Sequence, residues 1–164
     1  MSSSAGCKKT HDTASSLIVV GSIALDTVST PSAADRMGLG GSATYFSAAA
    51  GLLCCPQVIA VLGEDFDRSQ LDFLVERGVD LSTVYTKKGK TFHWQGTYGE
   101  ELGEATTLRT DLNVFADFEP QLNDNQKDCD FLFLANILPA LQLKVVEQSR
   151  AKFVAADTMN LWIN

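Results

Sequence analysis

The sequence predicts an α/β fold in which a mostly parallel sheet is flanked by helices and carries an inserted β segment. Three observations predict it. Residues 17–25, 58–63, 130–136 and 152–157 are near-continuous apolar runs, the pattern of strands buried on both faces of a parallel sheet. Segments with helical spacing follow the first three of them. Between about residues 79 and 119 that spacing disappears, and residues 91–98 alternate strictly, as an antiparallel strand does and a crossover helix does not.

Residues 1–16 are polar, Ser-rich and aperiodic, so they read as a loose tail with no assigned function. The first apolar run, 17–25, ends on Asp26. A carboxylate just past the C-terminal end of a buried strand sits where open α/β sheets bind ligands, and it can accept hydrogen bonds from two adjacent hydroxyls. The alternative is an aspartate that only caps a turn.

Gly38-Leu39-Gly40-Gly41 then leads into a helix of small residues, with Ala43, Phe46, Ala50 and Leu53 on one stripe. Glycines ahead of a helix admit a ligand close to the backbone, and the first turn offers unpaired N–H groups. This predicts a ligand-binding turn; the plainer alternative is a tight turn ahead of a core helix. Gly38, Gly40 and Ala43 also match a dinucleotide-binding spacing, with Glu64 and Asp65 downstream. That motif must follow a strand directly, and here residues 29–36 intervene.

Pro56 stops the helix, and strand 58–63 ends on Glu64-Asp65. Asp67 caps a helix reaching about Arg77, with Leu71, Leu74 and Val75 on one face and Gly78 at its end. In the inserted segment Phe92, Trp94 and Tyr98 share a face, opposite Thr91, His93, Gln95 and Thr97. Such an insertion commonly covers a site; the aromatics then pack on a ligand ring or fill a small core of their own. His93 has no acid or nucleophile in a fixed relation to it. Strand 130–136 ends on Asn136, Pro139 opens a helix carrying Leu141, Val145 and Val146, and strand 152–157 ends on Asp157, with Asn160 beyond. Polar residues at the ends of parallel strands line one edge, an arrangement suited to a polyhydroxylated ligand.

At 164 residues, with 45% hydrophobic and 20% charged, the chain suits one globular domain. A net charge of −7 and no basic cluster beyond Lys87-Lys88-Gly89-Lys90 argue against nucleic acid or an anionic membrane as partner. Cys7, Cys54, Cys55 and Cys129 lack C-x-x-C spacing, and apart from Cys7, four positions before His11, none lies near His11 or His93 in sequence, so no metal site is expected. No signal peptide precedes the fold, which predicts a cytoplasmic protein.

From about Leu17 to its last residue the sequence resembles the PfkB (ribokinase-like) family of carbohydrate and nucleoside kinases. Val20-Gly21-Ser22 through Asp26 resembles that family's opening strand and substrate aspartate, Leu39-Gly40-Gly41 its first signature, Val61-Leu62-Gly63-Glu64-Asp65-Phe66 its acidic turn, and the segment around Thr91 to Thr110 its β lid. The resemblance implies transfer of the γ-phosphoryl group of ATP, with Mg²⁺, to a hydroxyl of a sugar or nucleoside. It implies that Asp26, Gly40 and Gly41 hold the substrate with Asn136 close by, and that Thr44 and Tyr45 in the first helical turn are placed to touch it. Tyr45 stands where many members have Asn. Phe92, Trp94 and Tyr98 would face inward on a lid that also pairs two chains as a homodimer. The family's catalytic G-A-G-D motif has no counterpart here, so no catalytic residue is assigned. The chain is expected to be the substrate-binding and lid part of a larger, truncated fold, the alternative being a non-catalytic sugar- or nucleoside-binding module or an inactive fragment.

Overall fold

The computed structural model of the protein describes residues 16–101 and 103–158. In chain order the strands are β1 (Leu17–Val20), β2 (Ala24–Thr30), β3 (Ala33–Gly40), β4 (Gln57–Gly63), β5 (Val84–Lys87), β6 (His93–Tyr98), β7 (Ala105–Asp111), β8 (Phe131–Leu134) and β9 (Phe153–Ala156). The helices are α1 (Ser42–Ala50), α2 (Asp72–Glu76), α3 (Asp124–Lys127) and α4 (Pro139–Gln148), with 3₁₀ turns at Arg68–Leu71 and Asn113–Asp117. The strands form two sheets. One is five-stranded in the order β5-β4-β1-β8-β9 with every pair parallel, and the other is four-stranded in the order β3-β2-β6-β7.

Burial on both faces of the parallel sheet accounts for the apolar runs of the inner strands, whereas β9, expected to be buried, lies at the sheet edge with Phe153 and Val154 exposed. Ile18, Val20, Ile59, Val61, Leu132 and Leu134 point to one side, where Phe115 of the second 3₁₀ turn, Phe118 just after it and Val145 of α4 cover them. Val19, Val58, Ala60 and Leu62 point to the other, against Ala43 of α1 and Leu71 and Leu74 around α2. Asp67 caps the turn ahead of α2 as the sequence predicts, accepting the Ser69 N–H, and Gly78 leaves in the left-handed region at φ 79°.

Three local expectations are corrected. Residues 17–25 are not one strand: the parallel ladder ends where Ala135 N–H donates to the Val20 carbonyl at 2.9 Å, and residues 21–23 leave that sheet. Gly21 permits the exit because a Cβ there would lie 2.5 Å from the Cβ of Ala135. An unbroken apolar run conceals such a break, since both sides of it are buried. Residues 29–36 do not merely intervene; they are the end of β2, a turn at Pro31 and Ser32, and the start of β3. The stripe predicted on α1 also differs: the helix ends at Ala50, so Leu53 is 91% exposed, while Ala43, Thr44 and Ser47 are the buried positions and Phe46 stacks on Phe133.

The predicted insertion, 79–119, spans elements of both sheets. β5 pairs with β4 through Ala60 and Val84, and Val114 and Phe115 plug the main core, so only β6 and β7 of that segment belong to the four-stranded sheet. The other half of that sheet comes from β2 and β3. The predicted tail lies outside the described residues except for Ser16, whose N–H donates to Asp130 Oδ2 at 2.8 Å; Asn160 also lies outside them. No described helix is long and apolar enough to cross a membrane.

Candidate functional site

Asp26 is in β2, directly between Gly38 of β3 and Trp94 of β6 in register. Its carboxylate lies over the Cα of Gly40, because a Cβ built on Gly40 would come within 2.2–2.4 Å of the three carboxyl atoms. Gly40 is thus a glycine by steric necessity. Among the described residues no hydrogen bond or ion pair reaches this carboxylate, and burial pushes its pKa above the ordinary 3.8, with His93 opposing the shift. A half-buried carboxylate without a protein partner, open to a cleft, is a ready acceptor for ligand hydroxyls.

Gly41 begins α1 at φ 97°, where a Cβ would meet the Ser22 carbonyl oxygen at 2.4 Å. The first two N–H groups of α1 are not left open to a ligand. Ser42 N–H donates to Ser22 Oγ at 3.2 Å and Ala43 N–H to the Ser22 carbonyl at 3.0 Å, so the crossing between β1 and β2 caps the helix. Ser42 Oγ donates in turn to the Asn136 carbonyl at 3.0 Å, which ties the end of β8 to the same corner. Thr44 is 2% exposed and its hydroxyl donates to the Gly40 carbonyl at 2.8 Å, so it braces the glycine from inside. Tyr45 is 63% exposed, and its hydroxyl donates to the Leu39 carbonyl at 2.8 Å, holding the ring across the mouth of the cleft.

The cleft has a volume of about 370 Å³ and is lined by Asp26, Val28, Arg36, Tyr45, Trp94 and Tyr98. One wall is therefore aromatic, one end anionic and the opposite rim cationic. His93 is on the reverse of the sheet, where Nε2 and Thr27 Oγ1 lie 2.8 Å apart and Asp111 Oδ2 is 3.8 Å from Nδ1; it links β2, β6 and β7.

This arrangement of two sheets matches solved structures. A nucleoside kinase of Methanocaldococcus jannaschii, described as an archaeal member of the ribokinase family, superposes with a TM-score of 0.65 at 16% identity, over 86% of this chain and 52% of its own. The fold is ribokinase-like. Arabidopsis thaliana ribokinase complexed with ribose and ATP gives 0.64 at 18% identity, over 89% and 53% of the two chains, and Halothermothrix orenii fructokinase gives 0.63 at 18%, over 87% and 56%. The chain spans about half the length of these structures. No protein-family profile and no curated protein matches the sequence.

Within the ribokinase-like fold, Asp26, Gly40, Tyr45, Trp94 and Tyr98 gather at one cleft, with Gly41 and Asn136 at the adjoining start of α1. Thr44 and Phe92 do not join them. Phe92 packs on the main core, its ring 5.4 Å from that of Phe115, while its carbonyl accepts the Leu25 N–H at 2.9 Å. The row of polar strand ends is also incomplete as a ligand edge: Asp65 Oδ1 is occupied by the N–H and hydroxyl of Thr91, both at 2.8 Å. Sequence reasoning missed Val28 and Arg36. The signal for them was the β-branched stretch Thr27-Val28-Ser29-Thr30 ahead of Pro31, which reads as strand and turn.

Proposed function

We propose that this chain is the acceptor-binding and lid part of a kinase that transfers the γ-phosphoryl group of ATP to a hydroxyl of a sugar or nucleoside. The observation that carries the proposal is the Asp26 carboxylate, half-buried over Gly40 without a protein partner and facing the aromatic cleft. In that role Asp26 accepts hydrogen bonds from two neighbouring substrate hydroxyls and fixes which remaining hydroxyl projects away from it. The four-stranded sheet supplies the lid wall that excludes water from the acceptor. Among the described residues no group of three or more His, Cys, Asp or Glu side chains is placed to hold a metal ion. Calorimetric titration of the chain with pentoses, hexoses and nucleosides tests the proposal. Saturable binding that weakens in Asp26→Asn supports it, and the absence of binding across the panel refutes it.

A further inference from the structure

Trp94 is held in a way that a core tryptophan does not need. The register places Asp26 and Val28 of β2, Trp94 and Gly96 of β6, and Arg36 of β3 on one face of the four-stranded sheet. A Cβ on Gly96 would lie 2.2 Å and 2.3 Å from Cη2 and Cζ2 of Trp94, so the benzo ring rests directly on the Gly96 backbone. The indole N–H donates to Thr107 Oγ1 at 3.1 Å. That bond depends on an irregularity in the β6–β7 ladder: Gln95 pairs with Arg109 but Gly96 with Thr107, so the extra residue brings Thr107 opposite Gly96 and onto the Trp94 face. The indole is thus laid flat, backed by a glycine and stripped of its free donor. What it presents to the cleft is a bare π face.

Resting on the acceptor-binding proposal above, we infer that the cleft selects a nucleoside over a free sugar. The indole lies over the Gly96 row, one row beyond Asp26, and two residues of strand span roughly 6.6–6.8 Å. A monosaccharide anchored on Asp26 leaves that platform uncovered. A pentose with a flat heteroaromatic ring on its anomeric carbon covers it, the diol on Asp26 and the base against Trp94. Arg36 pairs with Val28 on the far side from Gly96 and has no ion-pair partner among the described residues, so its guanidinium is available to the carbonyl and ring-nitrogen acceptors on the edge of a base.

The test is fluorescence and calorimetric titration of the full chain in a Trp162→Phe background, which leaves Trp94 as the one tryptophan of two. The probes are adenosine, guanosine, cytidine and uridine against free ribose, fructose and glucose. Nucleosides should quench Trp94 and bind about 5- to 150-fold more tightly than ribose, the range that base–aromatic stacking supplies. Trp94→Leu should abolish that preference. Thr107→Val, which only unpins the indole, should reduce it, and serves if Trp94→Leu fails to fold. Ribose or a hexose binding as tightly as every nucleoside, or a preference unmoved in the folded variants, overturns the inference and leaves the acceptor proposal standing. No binding by any probe overturns both.

Discussion

Asp26→Asn separates a ligand-binding carboxylate from a structural one, because the two roles move stability and affinity in opposite senses. Asn has the same shape and fits over Gly40 as Asp does, but it carries no charge and one acceptor oxygen fewer. Hydrogen bonds to a charged group contribute about 1.5–3 kcal/mol, which corresponds to roughly tenfold to 150-fold in Kd. The stability effect has the other sign. Burial raises the Asp26 pKa above 3.8, so the folded state disfavours the ionised form. At pH values above the folded pKa the wild type carries that penalty and the Asn variant does not. As pH falls through the folded pKa toward 3.8 the penalty is relieved, and below 3.8 it is gone. Asp26→Asn should therefore melt at or above the wild-type temperature at pH 7, and the difference should vanish in acid. Wild-type ligand binding should weaken over the same acid range, while that of the variant stays flat. Thermal melts and titrations across pH measure both. A variant that melts lower at pH 7 and binds as well as wild type would refute the reasoning.

Gly40→Ala drives a methyl group into the Asp26 carboxylate and should cost about 1–3 kcal/mol in urea denaturation together with ligand affinity; the stability loss should be smaller when Asp26 is already Ala, as coupled neighbours require. Thr91 is 1% exposed and its hydroxyl both accepts the Gly63 N–H at 3.0 Å and donates to Asp65. Thr91→Val leaves that amide unpaired and should cost about 1–3 kcal/mol by urea denaturation. Pairing of two chains through the four-stranded sheet is a proposal that its outer strands allow, since β3 and β7 are largely exposed and carry Met37 at 66% and Leu108 at 57% exposure. Sedimentation equilibrium should show a dimer that Leu108→Arg converts to monomer; a wild-type monomer at micromolar concentration dismisses it.

What was legible in the sequence was whatever one segment determines on its own. The runs at 58–63 and 130–136 are strands largely buried in the sheet, 152–157 is a strand of the same β-rich composition at its exposed edge, and Asp67, Gly78 and Pro139 mark helix ends through local chemistry. The break after Val20 was not legible, because apolar residues on both sides of Gly21 carry no period that distinguishes one strand from two. The four-stranded sheet was half legible for a related reason. Alternation in 91–98 declares a strand but not its neighbour, and that neighbour is β2, paired in parallel with β6 across more than sixty intervening positions. Phe92 shows the limit of reading a face from alternation alone: it precedes β6 proper and its ring belongs to the main core.

The position of the cleft follows from how the two sheets are fastened. β2, β3 and α1 are one continuous stretch, so Asp26, Gly40 and Gly41 are set by a single hairpin returning to the helix it started beside. β6 enters from the main core, where Phe92 is packed on Phe115 and Thr91 is bonded to Gly63 and Asp65. Both chains therefore leave the main sheet at the Asp26 end of the cleft, and the Leu25–Phe92 bond joins them there. Toward Tyr98 the small sheet is held by its own β3-β2-β6-β7 ladder. On the proposed reading, an acceptor anchored on Asp26 would sit beside this junction, where its hydroxyls must be aligned to within a fraction of an ångström for transfer. The remainder of the ligand would then meet the Trp94 and Tyr98 surface. On that reading positioning and selection would fall to neighbouring rows of the same sheet, Asp26 in one and the indole of Trp94 over the Gly96 row beside it.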